Sequence, residues 1–175
     1  MSKRKHTIIF LLPYPPPYAG PETIAYELLH SKTIKSKQNI RFINANIQQK
    51  GKDKGKFKVR GVLNFLKIYA QLIRLLVCND TLFMYFCSSR IGFMRDSIYI
   101  LTCRIFRKKC FAQYHGANFH NFYRQQSAFF QWWIRFVLSK IHSVIVLGGS
   151  LKKMFKSIYN GRIDVLPNGL HLEKI

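Results

Sequence analysis

The chain has 175 residues, 48% of them hydrophobic, so it is long enough for one ordinary domain and too apolar for a disordered segment. Its 29 lysines and arginines against 7 acidic residues give a formal net charge of +22 at pH 7. Such a high positive charge favours anionic membranes, phosphorylated substrates or nucleic acid as partners. The alternative explanation of the charge is a lysine-rich genome. The four cysteines form no C-x-x-C pair. This argues against zinc and thioredoxin-like sites and favours reduced core thiols in a cytoplasmic protein.

Apolar runs of strand length alternate with longer segments of helical period, which is typical of βα units around a parallel sheet. The predicted strands are residues 7–12, 40–45, 81–86, 110–114, 143–147 and 162–166. The first is not a signal peptide, because prolines stand where a small-residue cleavage site belongs. No run reaches the ~18 uncharged apolar residues of a spanning helix. The sequence therefore predicts an α/β fold, with a Rossmann-like parallel sheet flanked by helices.

Ligands of an open parallel sheet bind beyond the carboxyl ends of its strands, and the first loop there is a candidate site. This loop carries Tyr18 and Gly20 after the first strand, and Glu22 follows at the start of the first helix. A glycine before a helix lets the backbone approach a ligand, and the free N–H groups at the helix start attract phosphate. The loop has neither the G-x-G-x-x-G nor the P-loop pattern, so a plain βα turn stays as the alternative.

Two further candidates follow the fourth and fifth predicted strands. His115 stands at a strand end, where Gly116 keeps space open for a ligand; a histidine that bonds a nearby backbone group is the alternative. Ser150 follows two glycines at a strand-to-helix turn and is expected to cap that helix. No metal-ligand cluster, paired carboxylates or hydrolase motif accompanies them, so neither a metal site nor a self-contained hydrolase is predicted.

In this order, and closed by Pro167, Asn168 and Gly169, these features resemble the N-terminal domain of a family 4 glycosyltransferase of the GT-B fold (the group 1 type). In that family, a glycine-containing loop follows the first strand, a later strand ends in His-Gly, another ends near a serine, and V-x-P-N-G closes the domain. The resemblance covers residues 7–169. It departs from the family at Gly20, where two adjacent glycines are usual, and at His171, where aspartate is usual.

The resemblance implies an N-terminal, acceptor-side domain over residues 1–166. It also implies an interdomain linker that begins at 167–175, with its hinge at Pro167, Asn168 and Gly169, and an absent donor-binding C-terminal domain. On this basis the chain is a gene fragment, a split subunit or a truncated form, and we expect it to be inactive alone.

The resemblance also implies retaining sugar transfer from a nucleotide-sugar donor, without metal or cofactor, in bacterial surface-polysaccharide or lipopolysaccharide synthesis. His115 would be the catalytic residue beside the donor sugar, and Gly20 would approach the donor diphosphate. The further cleft candidates are Tyr18, Glu22, Gly116 and Ser150.

Partners implied by the resemblance are a glycan or lipid-linked acceptor, the C-terminal domain or a split subunit, and peripheral contact with the inner face of the cell membrane. The predicted helix over 59–77 and the aromatic segment 119–136 are the candidates for that contact, with ordinary sheet-packing helices as the alternative. The alternative function is a basic, non-enzymatic module that binds a membrane surface or nucleic acid. The sequence has no nucleic-acid-binding motif, so no specific nucleic acid is expected.

Overall fold

The computed structural model of the chain describes residues 7–46 and 59–167. Its strands, in chain order, are β1 Thr7–Leu12, β2 Asn39–Asn44, β3 Thr81–Tyr85, β4 Lys109–Tyr114, β5 Ser143–Val146 and β6 Ile163–Val165. Its helices are α1 Gly20–His30, α2 Lys32–Lys37, α3 Val59–Cys78, α4 Arg90–Ile105, α5 Phe119–Arg124, α6 Ala128–Leu138 and α7 Gly149–Lys156.

The strands form one sheet in the order β2-β1-β3-β4-β5-β6, and every neighbouring pair is parallel. This confirms the predicted Rossmann-like α/β fold. Each predicted strand overlaps an observed one with ends that differ by at most one residue, because short buried runs between polar turns mark strands strongly.

The helices depart from the prediction in number, since two segments expected to hold one helix hold two. Ser31 divides the first, and its hydroxyl accepts a hydrogen bond from the N–H of Ile34 at the start of α2. Ser127 divides the aromatic segment in the same way and accepts from the N–H of Phe130 in α6. Serine is a favoured N-cap because its oxygen satisfies one of the free N–H groups of a new helix.

Alternate residues of each strand point to opposite faces of the sheet, and the two faces are covered unequally. One face holds the large core, in which strand residues such as Ile9, Met84 and Ala112 pack beneath α3, α4, α5, α6 and α7. The other face holds a small cluster of Phe10, Leu12 and Ala25, against which Tyr85 is half-buried. Tyr85 therefore lies on the same face as α1.

Helix α3 buries only a narrow stripe. Ile68, Leu72 and Leu76 are buried against the sheet, whereas Leu63 and Leu66 are about half exposed. Over Gly61–Cys78 this helix is long and apolar enough to cross a membrane by length and composition, a test that core helices also pass. Its amphipathic character agrees with the pattern in the sequence.

All four cysteines are free thiols. Cys103 and Cys110 are buried in the large core, as predicted, and Cys87 is half-buried. Cys78 is exposed, so its prediction as a core thiol is wrong; it is the last residue of α3 and lies beyond the buried stripe of that helix.

Candidate functional site

The strand order places a crevice at the carboxyl ends of β1 and β3. From β1 the chain crosses to β2 on one side, whereas all later strands add on the other side. Ligands of open α/β sheets bind at such a topological switch point. The segments that surround it are residues 13–19 after β1, 86–89 after β3 and 115–118 after β4.

The loop after β1 is held by the end of the neighbouring strand. The backbone N–H of Tyr14 donates to Asn44 Oδ1 at 3.2 Å, and the side-chain amide of Asn46 donates to the Tyr14 carbonyl. Tyr18 is 76% exposed and extends into solvent. A Cβ built on Gly20 meets nothing within 4 Å, so the space at the start of α1 is open and the local fold does not require glycine there.

The loop after β3 is anchored by Asp96 of α4, which is 1% exposed. One carboxylate oxygen accepts from the N–H of Cys87 at 2.8 Å, and the other pairs with the guanidinium of Arg95, also at 2.8 Å. Burial raises the pKa of the Cys87 thiol to about 11, so it is protonated at neutral pH and is not an activated nucleophile.

The first turn of α4 packs tightly on that loop. Ser89 is its N-cap and accepts from the N–H of Gly92 at 3.3 Å. A Cβ on Gly92 would lie 2.6 Å from Ser89 Oγ and 2.8 Å from Cys87 Cβ, so glycine is required by close approach. Nothing in the sequence singled out Asp96, Ser89 or Gly92, although Ser89 and the helical pattern after it form an ordinary helix-start signal.

His115 lies against Tyr85, which ends the adjacent strand. Their ring centroids are 4.0 Å apart. Both polar ends, His115 Nε2 and the Tyr85 hydroxyl, are buried and have no hydrogen-bond partner within the described residues. Burial lowers the pKa of His115 to about 4 and raises the pKa of Tyr85 above its ordinary value, so both groups are neutral at pH 7.

Glu22 contributes a third such atom. It lies in the first turn of α1, which follows the loop after β1, and its Oε2 is buried without a hydrogen-bond partner in the described part of the chain. Three unpartnered polar atoms are thus found beside the carboxyl ends of three neighbouring strands. Such atoms are rare in folded proteins and call for an explanation at each site.

Gly116 allows a link between two of the loops. A Cβ there would overlap the phenol of Tyr114, whose hydroxyl donates to Ser88 Oγ at 3.1 Å. Glycine therefore lets the Tyr114 side chain reach from β4 to the loop after β3. The predicted open space at Gly116 is filled by this buried ring.

The prediction that Ser150 caps a helix is wrong. Helix α7 begins one residue earlier, at Gly149, and its N-cap is Gly148, which has no side chain to accept a hydrogen bond. Ser150 lies exposed in the first turn of α7. Of the predicted hinge, Pro167 is exposed after β6, and Asn168 and Gly169 lie outside the described residues.

The polar groups of this site suit hydrogen bonding to a polar ligand. A neutral imidazole and a phenol can donate to ligand oxygens, and Glu22 can accept from ligand hydroxyls. Within residues 7–46 and 59–167, no group of three histidine, cysteine, aspartate or glutamate side chains is placed to hold a metal ion.

No protein-family model matches this chain, and a search of curated proteins finds no match.

Proposed function

We propose that this domain is the acceptor-side part of a retaining glycosyltransferase that uses a nucleotide-sugar donor, in bacterial surface-polysaccharide or lipopolysaccharide synthesis. The observation that carries the proposal is the group of three buried, unpartnered polar atoms of Glu22, Tyr85 and His115. Each costs about 1–3 kcal/mol when left unpaired, and the hydroxyl groups of a sugar ligand supply the type of partner that these atoms lack. The ordered motifs that resemble the family supply the reaction class.

In the proposed transfer, the bond from the sugar's anomeric carbon to the donor phosphate breaks. A new bond to an acceptor hydroxyl oxygen forms on the same face of the ring, and the nucleoside diphosphate leaves with the proton of that hydroxyl. His115, neutral at pH 7 because burial lowers its pKa to about 4, donates a hydrogen bond to a sugar oxygen. Its low basicity makes it a poor general base, so positioning is the contribution proposed for it.

The donor diphosphate requires positive charge, and few free cations among the described residues lie at the carboxyl ends of the strands. Arg95 is engaged with Asp96, and the Arg90 guanidinium lies 5.4 Å from the centroid of the Phe130 ring, over α6. Gly20 leaves open space at the α1 N-terminus, where N–H groups attract phosphate. In this proposal a second domain or subunit supplies the remaining cations and completes the site.

Saturation-transfer NMR on the chain tests the proposal, with a panel of nucleotide-sugars and neutral oligosaccharides as probes. We expect sugar protons to receive saturation and Tyr85→Phe to weaken that contact, since the hydroxyl is lost and the ring stays. Lys35→Gln, on the exposed side of α2, is the matched control. If no probe receives saturation, or if Tyr85→Phe transfers as much saturation as the wild type, sugar does not bind at the carboxyl ends of the strands as proposed.

A second candidate function, membrane binding, is favoured by exposed apolar side chains on three adjacent helices. Exposed residues of α3, α4 and α6 form this outer apolar surface: Leu63, Leu66, Ile91, Met94, Ile98, Phe129 and Trp132. Helix α4 contacts both α3 and α6, so these side chains lie on one side of the molecule. Apolar patches rimmed by cations such as Lys67 and Arg124 are typical of surfaces that bind anionic membranes.

Helix α4 was not among the predicted membrane contacts, and part of the aromatic segment is core instead: Phe119, Tyr123 and Phe130 are buried. Cosedimentation with phosphatidylglycerol-containing vesicles tests the outer apolar surface. We expect Ile98→Gln to weaken binding and Lys35→Gln to change it little. Unchanged binding in Ile98→Gln beside weaker binding in Lys35→Gln would assign the binding to net charge alone.

A further inference from the structure

The amino ends of the strands form the edge of the sheet opposite the candidate functional site. This amino edge holds a cavity of about 350 Å³ between the loops that lead into β4 and β5. Its lining includes five arginines and lysines, which are Arg104, Arg107, Lys108, Lys109 and Lys140. Ser139 also lines the cavity, and its hydroxyl donates to the carbonyl of Phe136 at 2.7 Å. Ligand pockets of proteins begin at about this volume, near 300 Å³.

These cations are poorly neutralised. Lys108 pairs with Asp80 at 3.1 Å, and that carboxylate is 72% exposed. Of the other acidic residues in the described ranges, Asp96 pairs with Arg95, Asp164 pairs with Arg162, and Glu22 and Glu27 lie on α1. In that part of the chain, Arg104, Arg107, Lys109 and Lys140 have no carboxylate partner. Four arginines and lysines therefore line one cavity without a carboxylate partner among the described residues, although Lys140 Nζ lies 4.6 Å from the centroid of the Phe136 ring.

Helix termini do not account for this concentration of charge. Cations near a helix C-terminus interact favourably with its last carbonyls, and the cavity lies where α4 and α6 end. Here main-chain N–H groups already satisfy those carbonyls. The N–H of Lys108 donates to the carbonyl of Cys103, and the N–H of Lys140 donates to that of Val137.

Arg107 occupies a position at which glycine is usual. The N–H groups of Arg107 and Lys108 donate to the carbonyls of Arg104 and Cys103, which is the Schellman pattern that ends a helix. Its left-handed residue is Arg107, with φ 55°, and among non-glycine residues of the described ranges it alone has positive φ. A side chain at such a position strains the backbone, and strain of this kind concentrates at functional sites.

We propose that this cavity binds a multivalent phosphate group, with Arg104, Arg107 and Lys140 as its principal contacts. Guanidinium groups bind phosphate oxygens through paired N–H donors, and lysines add point charge. A free diphosphate and the phosphates of an anionic lipid headgroup present this same chemistry. The proposal is independent of the transfer site at the opposite edge.

Arg107→Gly separates binding from folding. Glycine relieves the positive φ, so the variant should unfold at higher urea concentration than the wild type while it loses one phosphate ligand. Calorimetric titration with inorganic pyrophosphate tests whether the cavity binds a free diphosphate. Binding to phosphatidylcholine vesicles with and without phosphatidylglycerol tests whether the cavity binds an anionic lipid headgroup. Lys35→Gln on α2 removes the same charge away from the cavity, and Ile98→Gln reports separately on the outer apolar surface.

We expect Arg107→Gly to weaken binding of pyrophosphate, of anionic vesicles, or of both, by about tenfold, while Lys35→Gln stays near the wild type. Loss confined to pyrophosphate identifies a free phosphate ligand, and loss confined to vesicles identifies a lipid headgroup. Wild-type binding of both probes by Arg107→Gly would overturn the proposal. Equal loss in Lys35→Gln would also overturn it.

Discussion

Replacement of Asp96 by asparagine should destabilise the fold strongly, although Asp96 belongs to no motif. Its side chain is 1% exposed and pairs with Arg95, which keeps 25% of its own surface in water. Asp96→Asn preserves the size of the side chain and one acceptor for the N–H of Cys87. It removes the charge opposite the largely buried guanidinium of Arg95.

The magnitude follows from what is left behind. Removing one partner of a buried ion pair costs ~3–5 kcal/mol, because the other charge stays buried without compensation. Arg95 reaches water in part, so we expect the low end of this range, about 3 kcal/mol. Asp96→Ala also leaves the N–H of Cys87 without an acceptor, which adds about 1 kcal/mol.

Urea unfolding followed by circular dichroism measures both variants, with Asp80→Asn as the matched control. Asp80 pairs with Lys108 at a similar distance, 3.1 Å, but is 72% exposed, so its loss should cost less than ~1 kcal/mol. Amide exchange should also speed up at residues 87–89 in Asp96→Asn. If Asp96→Asn and Asp80→Asn unfold at the same urea concentration, the reasoning from burial is wrong.

Three further predictions concern the same edge. In the wild type, the free energy of unfolding should fall as pH drops from 6.5 towards 4. The cause is that unfolded His115 binds a proton near 6.5, whereas burial lowers its folded pKa to about 4; urea midpoints of His115→Phe should show a smaller fall over this interval. Gly92→Ala should cost roughly 1–3 kcal/mol through overlap with Ser89 and Cys87, while Gly20→Ala, in open space, should leave thermal stability unchanged or slightly raised. Tyr85→Phe should stabilise the unliganded chain by about 1 kcal/mol, because it removes a buried hydroxyl that has no partner; a lower melting temperature would show that the hydroxyl is paired.

The sequence predicted the sheet well because its strands are short apolar runs bounded by polar turns. Which face of helix α4 is buried was not predicted, since the apolar periodicity of this helix is ambiguous. The side that faces the sheet includes Asp96 and Ser97, whereas Ile98 and Ile105 face outward. Periodicity says which residues share a face and does not say which face is buried.

Only part of the candidate site could be predicted from the sequence. His115 was accessible to sequence reasoning because it stands at a strand end before glycine. Its neighbour Tyr85 was not, because their contact depends on β3 and β4 being adjacent and on the register that pairs Tyr85 with Gln113. Asp96 was hidden for a related reason: it lies nine residues after Cys87 in sequence, and only the packing of α4 brings its carboxylate to that loop.

The two edges of the sheet differ in the ligands that they suit. The carboxyl edge presents neutral His115 and Tyr85 together with Glu22, which match sugar hydroxyls. The amino edge presents Arg104, Arg107 and other cations, which match phosphate. An acceptor glycan should therefore bind the carboxyl edge with little dependence on salt, whereas phosphate ligands should weaken steeply as salt screens the amino edge. Titrations of a neutral oligosaccharide and of pyrophosphate at low and high salt compare the two, and a steep salt dependence for the oligosaccharide would contradict the acceptor-side role proposed for this domain.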